Sequence, residues 1–254
     1  MVSQYYGWHG LFLFIGRGGR SANHSHSMMQ IVISPEKKFH IRKNSKEKYQ
    51  VLSACVIASN TPHQLVMTNK NNSGIILWLD PEHIHFAWWR PKSPITKLEL
   101  SDKTLTLLKN TPANCQEAFL FSQIIIKQVI PEPPEKEFDE RVPVIFNLIK
   151  EQIENQQKIS VDDFAREIGL SSSRLMHLFK DETGMTIRRY ILWQRKLTAM
   201  KNLVNGSTIT EAAHNAGFSD AAHLTRTYRE FSGVSPSEVW QNSRFVQAED
   251  CSYH

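Results

Sequence analysis

Residues 212–239, AAHNAGFSDAAHLTRTYREFSGVSPSEV, constrain this chain more than any other stretch. A helical run beginning at Thr210 carries Ala212, Ala213 and Ala216 inward, small residues that allow close helix approach. It stops at Gly217 and turns through Phe218, Ser219 and Asp220 into a second run over 221–231. Glycine tolerates the left-handed backbone of a tight turn, and an aspartate there is placed to cap the next helix. Leu224, Tyr228 and Phe231 recur on one stripe of that helix. Ala221, Ala222, His223, Arg226 and Thr227 are left for the outer side, with Arg229 on the flank. This is the outline of a helix-turn-helix, which lays its second helix in the DNA major groove.

The outline occurs twice. Residues 164–180 read FAREIGLSSSRLMHLFK. Ser160 caps a helix reaching Ile168, with Val161, Phe164, Ala165 and Ile168 inward, and Gly169 closes it. Ser171 caps the next helix, with Leu175, Leu178 and Phe179 inward and Ser173, Arg174, Met176, His177 and Lys180 outward. A long helix over 186–203 separates the two units, with Ile187, Tyr190, Ile191, Leu197, Met200 and Leu203 inward. At 1.5 Å per residue it spans roughly 25–27 Å and acts as a rigid spacer ending at Asn205-Gly206. A helix over 144–155 precedes the pair, with Val144, Ile145, Leu148, Ile149 and Ile153 on its apolar stripe. Ser235-Pro236 opens a last helix, with proline at the tolerated first position.

Charge alone points elsewhere. The chain carries a net charge of +5, but residues 1–137 hold 16 Lys+Arg against 10 Asp+Glu, and residues 138–254 hold 14 against 15. The half with the helix-turn-helix outlines is nearly neutral, so a nucleic-acid reading rests on pattern and on basic side chains gathered on one face. Arg174, Lys180, Arg188, Arg189 and Arg229 are the basic residues near the two outlines; the family resemblance described below implies that they meet phosphate or solvent. Cys55, Cys115 and Cys251 have no metal-type spacing and cannot all pair, so a reduced, cytoplasmic protein is expected. Residues 11–15 are too short to span a bilayer and follow no basic segment; neither a membrane partner nor a signal peptide is expected.

Residues 1 to about 100 have the pattern of short strands, at 11–15, 28–33, 39–42, 50–58, 64–68 and 75–79, separated by polar or glycine-bearing turns. Six such strands predict a small barrel or sandwich. Helices follow at 102–108 and 114–130. Ala118, Phe119, Phe121, Ile124, Ile125 and Val129 give the second a broad apolar face, which packs on the barrel or forms a dimer contact, packing being favoured. The run Pro131-Glu132-Pro133-Pro134-Glu135-Lys136-Glu137 is a stiff linker. The expected domains are therefore 1–130, a linker over 131–140, and 141–246.

Two constellations in the first half bear chemistry. One is Gly18-x5-His24-x-His26-x3-Gln30 with Pro62-His63. In a strand, His24 and His26 project to one face, and His63 can approach from a neighbour. Three imidazoles on one face can hold a transition metal, but they equally line a small-molecule pocket or satisfy core hydrogen bonds. The spacing resembles the metal motif of cupin barrels, with Gln30 where that pattern has a carboxylate and His63 without its Pro-x-Gly lead-in. His24, His26, Gln30, His63 and Trp78 are assigned to ligand binding; metal and cofactor are not expected, His24, His26 and His63 being the only candidates. The other is His83-x-His85 with Trp88-Trp89, read as packing over the barrel mouth, or with Trp8 and Trp78 as an aromatic pocket.

Three segments carry a family resemblance: Phe164-Ala165-x3-Gly169-Leu170-Ser171; Leu175-x3-Phe179-Lys180-x2-Thr183-Gly184; and Ala213-x3-Gly217-Phe218-x5-Leu224-x-Arg226-x-Tyr228-x4-Gly233-x-Ser235-Pro236. Residues 144–243 thereby resemble the DNA-binding domain of the AraC/XylS family of bacterial transcriptional regulators. The resemblance implies two recognition helices in successive major-groove segments. Ser173, Met176 and His177 of the first, and Ala221, Ala222, His223 and Arg226 of the second, would face the groove. Met176 and the alanines offer at most contact with a thymine methyl, leaving Arg226 and His177 for base-edge hydrogen bonds, with Arg226 equally suited to the phosphate backbone or a helix–helix ion pair. The family's first half is often a cupin-like sensor of a small molecule. The expected fold is thus α+β: an N-terminal cupin-like β-barrel with covering helices, and a C-terminal all-α domain of two helix-turn-helix units joined by a long helix. The expected function is a sequence-specific DNA-binding transcriptional regulator, modulated through the barrel by a small-molecule effector or by oligomerisation. It is not an enzyme; its partners are double-stranded DNA, RNA polymerase by family resemblance, and a second copy as a homodimer. The alternative is a metal-dependent cupin enzyme fused to a DNA-binding domain.

Overall fold

The computed structural model describes residues 3–17, 19–67, 73–132, 137–233, 235–236 and 246–251. Gly18, most of the proline linker and the continuation of the helix expected at Ser235-Pro236 lie outside them. The chain divides into two compact units, residues 1–133 with 229–254, and residues 134–228.

The first unit is built on a seven-stranded sheet. Its strands are β1 (Ser3–Trp8), β2 (Leu11–Arg17), β3 (Met29–Ile33), β6 (Ala54–Ile57), β8 (Ser73–Leu79), β9 (Ile95–Lys97) and β10 (Val246–Asp250), in the order β10-β1-β2-β8-β3-β6-β9. Among the described residues, only the β1–β10 pairing of this sheet is parallel. A second sheet, β5-β4-β7, comprises β4 (Phe39–Arg42), β5 (Gln50–Leu52) and β7 (Gln64–Val66). Helices α1 (Ile84–Trp88), α2 (Asp102–Leu107) and α3 (Cys115–Val129) complete the unit.

Alternation along the strands decides what each face buries. Met29, Ile31 and Ile33 of β3, with Leu11, Leu13 and Ile15 of β2 and Ile75, Leu77 and Leu79 of β8, join one apolar cluster with Ala118, Phe121, Ile125 and Ile126 of α3. On the opposite face Val32, Cys55 and Ile57 meet Phe39, Ile41, Leu52 and Leu65 of the small sheet. A sheet covered on both sides explains why β3 reads MQIVI, buried at every position, instead of alternating with polar residues.

The expected closed barrel is not found. The large sheet ends at β10 on one edge and β9 on the other, and no described strand pairs it with the small sheet. Closure requires the outermost strands to pair, whereas here a helix layer and a second sheet bury both apolar faces without it. The six expected strands all have counterparts, but 50–58 breaks at Ser53 into β5 and β6, which join different sheets. Strands β1, β9 and β10 are additional.

The cysteines also differ from expectation. Cys115, at the start of α3, and Cys251, just after β10, form a disulfide with Cα atoms 5.7 Å apart, across 136 residues of sequence. Cys251 N–H also donates to Gly7 O at 2.8 Å, which ties it to β1. Spacing could not reveal this pair, because the parallel β1–β10 contact creates it. Cys55 is free and buried, and burial pushes its thiol pKa up. No helix among the described residues is long and apolar enough to cross a membrane.

The second unit contains α4 (Arg141–Glu154), α5 (Val161–Glu167), α6 (Ser172–Thr183), α7 (Ile187–Val204), α8 (Ile209–Asn215) and α9 (Ala221–Ser232) through Tyr228. Helix α7 packs against α4, α6 and α8. Two clusters stand out among the described residues. Phe146, Phe179 and Tyr190 form an aromatic triangle with ring centroids 4.9–5.5 Å apart. Ala199, Ala213, Ala216, Phe218 and Leu224 form the other. Serving neighbours on several sides widens the buried stripe of α7: Trp193, Gln194 and Ala199 are buried, while Ile191, Leu197 and Met200 are only half-buried. On α4 the buried stripe is Val142, Ile145, Phe146, Ile149 and Ile153, and Val144 faces solvent.

Candidate nucleic-acid interface and histidine cluster

The α5–α6 pair is fixed by local chemistry. Asp163 N–H donates to Ser160 Oγ at 3.3 Å and Arg174 N–H to Ser171 Oγ at 3.3 Å, satisfying otherwise unpaired helix-start donors. Gly169 turns the chain at φ +66°. Leu175 and Phe179 are buried, so α6 presents the opposite side outward. Ser173, Arg174, Met176, His177 and Lys180 are all exposed on it.

The α8–α9 pair repeats the plan. Glu211 N–H donates to Thr208 Oγ1 at 3.2 Å and Thr208 N–H to Glu211 Oε2 at 2.8 Å, a reciprocal capping box. Gly217 makes the turn at φ +77°, and a Cβ there would lie 3.2 Å from Arg195 Nε. His223 N–H donates to Asp220 Oδ1 at 2.6 Å, and that bond holds the Asp220 carboxyl below its usual pKa. Ala222, Arg226 and Arg229 are exposed, whereas Ala221 and His223 are half-buried. His223 is held in the turn, with Nδ1 3.1 Å from Ser219 Oγ and its ring edge-on to Phe218 at 5.3 Å. Thr227, expected outside, is buried with Leu224 and Tyr228. It lies three residues after Leu224, and a threonine methyl can extend the apolar stripe.

Arg195 was not singled out by the sequence. Its guanidinium lies beside Gly217, and its Nε is buried without a hydrogen-bond partner. Burial lowers its pKa. It shares a groove with Lys158, Ser160, Ser172, Met176 and Arg188. Nothing in the local pattern of α7 marks it, since only the return of α8 and its turn brings Gly217 alongside.

In the first unit the histidines do converge. His24 and His26 lie in an irregular segment before β3, not in a regular strand, and His63 lies just before β7. His24 N–H donates to His63 O at 3.0 Å and His63 N–H to His24 O at 2.8 Å, tying the two segments together. Ring centroids are 4.2 Å apart for His24–His63, 5.1 Å for His26–His63 and 5.8 Å for His24–His26. His26 Nε2 lies 2.7 Å from Gln30 Oε1. Trp78 stands directly opposite Gln30 across β3 and β8, on the same sheet face. The five ligand candidates are thus grouped, with His24 half-buried and His26, Gln30 and His63 buried. Burial, with the neighbouring His26 and His24, pushes the His63 pKa down to about 2, and burial lowers that of His24. The second motif has a structural part: His83 caps α1 by accepting from His85 N–H at 3.3 Å, and the two rings stack at 5.3 Å.

Comparison with known proteins agrees with the helix pairs. Residues 164–242 match a family described as a helix-turn-helix domain. The chain is 27% identical over 152 residues to the Msm operon regulatory protein of Streptococcus mutans, covering 56% of this chain and 55% of that protein. It is 33% identical over 97 residues to the HTH-type transcriptional regulator ExsA of Pseudomonas aeruginosa, covering 38% of this chain and 34% of that protein. It therefore spans about half the length of the first relative and a third of the second. In fold it is similar to ToxT of Vibrio cholerae. The apo form gives a TM-score of 0.59 at 12% identity, covering 91% of this chain and 97% of that one. The unsaturated-fatty-acid-bound form gives 0.56 at 13% identity, covering 91% and 94%. Residues 164–242 of this chain are accordingly a helix-turn-helix domain, of the kind carried by bacterial transcriptional regulators.

Proposed function

We propose that the chain is a sequence-specific, DNA-binding transcriptional regulator of the AraC type. The observation that carries this reading is the outer face of α6. Within the matched helix-turn-helix segment, Ser173, Arg174, Met176, His177 and Lys180 are all exposed while Leu175 and Phe179 are buried. Helices α5–α6 and α8–α9 act as two helix-turn-helix units, with α6 and α9 as recognition helices. His177 and Arg226 read base edges; Arg174, Lys180 and Arg229 meet phosphate. Ala221 and Ala222 add apolar contact, and His223 supports the turn as much as the groove. Residues 141–246 form the DNA-binding domain and 1–130 a regulatory one, with 131–140 between. The regulatory domain binds a small-molecule effector, a reading supported by the fatty-acid-bound form of the similar ToxT fold. The protein engages RNA polymerase without catalysing a reaction. It self-associates through the side of α3 that exposes Phe119, Leu120 and Ile124.

The test is selection of duplex DNA from a random pool, followed by anisotropy titration across salt concentrations. A selected site bound with a steep salt dependence is expected. Arg226→Ala and His177→Ala each weaken the selected site more than random DNA. If neither does, these base-reading assignments are wrong.

A further inference from the structure

We propose that Arg188 and Arg195 of α7 form a phosphate-binding stripe that holds the DNA backbone between the two recognition helices. The inference rests on the DNA-binding reading. It gives a contact role to the helix that otherwise only spaces the two units.

At 3.6 residues per turn, positions 188, 191 and 195 fall on one side of α7. Arg188, Ile191 and Arg195 line one groove accordingly, with Ser172 and Met176 of α6 on its other wall. Met176 is exposed on the outer face of α6, so the groove opens beside the first recognition helix. Arg195 also reaches the second helix pair. It lines an adjacent groove with Gly217, Ser219 and His223 at the α8–α9 turn. A Cβ at Gly217 would lie 3.2 Å from Nε, 3.4 Å from Cζ and 3.5 Å from Nη2 of its guanidinium. The glycine thus makes room for a guanidinium between the two pairs. All of these residues belong to the second unit.

Charge supplies the second observation. Lys158, Arg188 and Arg195 line the first groove against a single acid, Asp162. Asp162 accepts from Ser172 Oγ, and Lys158 acts on Asp163. Arg188 and Arg195 have no ion pair among the described residues. Arg195 Nε is buried without a hydrogen-bond partner, and burial lowers the pKa of the group. A partly desolvated guanidinium without a counter-ion is costly, and its planar set of donors suits a phosphate. The packing against Gly217 orients the group, and its terminal nitrogens supply the remaining donors. Two uncompensated arginines in a half whose charges nearly cancel call for an anion from outside the chain.

A polymeric phosphate matches the spacing. Arg188 and Arg195 are two helical turns apart, about 10.5 Å along the axis of α7. One DNA strand presents a phosphate about every 3.4 Å of duplex axis, so a strand running along α7 meets the pair with phosphates about three steps apart. Helix α7 joins the two recognition helices, and a duplex that takes both runs along it.

The test uses full-length protein and the DNA site selected from the random pool. Arg188→Gln and Arg195→Gln are titrated across salt concentrations, with folding followed by circular dichroism. Each is expected to bind selected and random DNA about 8-fold more weakly at 0.1 M salt and to lower the salt slope by about 1, the effect of one lost phosphate contact. Lys127→Gln on α3 removes the same charge from the first unit and leaves the slope unchanged. Single phosphates of the selected duplex are then replaced by uncharged methylphosphonate. One phosphate between the two recognition segments should matter to the unaltered protein and lose its effect in Arg188→Gln, a result that a purely structural role does not produce. Where Arg195→Gln fails to fold, the exposed Arg188 position decides. No DNA binding by the unaltered protein removes the regulator reading and this inference together. An unchanged slope in the folded glutamine variants, alongside the losses expected of Arg226→Ala, overturns this inference alone. Calorimetric binding of inorganic phosphate with that unchanged slope assigns the groove to a free anion and overturns it as well.

Discussion

The α5–α6 and α8–α9 pairs share a plan and differ in what they pack and present. Both turn at a glycine of positive φ, and both start the second helix on a side-chain cap. Beneath α6 lie aromatic rings, Phe146, Phe179 and Tyr190. Beneath α9 lie alanines, Ala199, Ala213 and Ala216, with Phe218 and Leu224. Outside, α6 carries Arg174, His177 and Lys180 exposed, whereas α9 offers Ala222, Arg226 and Arg229, with His223 drawn into its turn. A single local plan therefore supports two different cores and two different surfaces. Turn and cap chemistry sets the helix pair, while core volume and outer residues are free to vary.

The sharpest way to break this comparison is through the cores. Phe179→Ala leaves a large cavity and should cost about 3–5 kcal/mol, while Ala213→Leu overpacks the close α7–α8 contact and should cost about 1–3 kcal/mol. Amide hydrogen exchange of the second unit measures both; equal costs would mean that the cores do not differ as described. Next come the surfaces. Arg226→Ala should cost about 1–3 kcal/mol at the selected DNA site and relax its sequence preference. Lys180→Ala should weaken all DNA alike and lower the salt slope by about 1. A uniform loss with Arg226→Ala would reassign it to phosphate.

The caps give smaller effects. Ser171→Ala should destabilise α6 by about 1 kcal/mol, read from exchange of the Arg174 amide. The corresponding cap on α9 titrates, because it is Asp220. Its pKa is lowered in the fold, chiefly by the bond from His223 N–H, so its contribution is complete above the ordinary carboxylate value and is lost as pH falls through the folded value. Acid should therefore speed exchange of the His223 amide before that of Arg174, whose serine cap carries no charge to lose. Simultaneous loss would show that the cap is not what holds the start of α9.

Much of this was legible because it is local. Helical spacing, Gly169, Gly217, Ser171 and Asp220 fix both helix pairs within a few residues of chain, and the outward side of α6 follows from where Leu175 and Phe179 fall. Thr227 and Val144 were misplaced because polarity or apolarity alone does not say which stripe a helix buries. The convergence of His24, His26 and His63 was readable as a possibility from spacing, but the contacts of their Nδ1 atoms with the Ala22, Met28 and Thr61 carbonyls were not, since those carbonyls come within reach only after the loops fold.

Sequence by itself determined the paired helix plan and the main apolar runs of the sheet, because propensity, periodicity and turn chemistry act over a few residues. Tertiary structure alone decided that the sheet stays open, with α3 on one face and the small sheet on the other. It alone joined Cys115 to Cys251 through the parallel pairing of β1 with β10, set Arg195 beside Gly217 and left His63 Nε2 buried without a partner. Each of these depends on contacts between residues distant in the chain, where the gain comes from burying both partners together and neither partner's own neighbourhood encodes it.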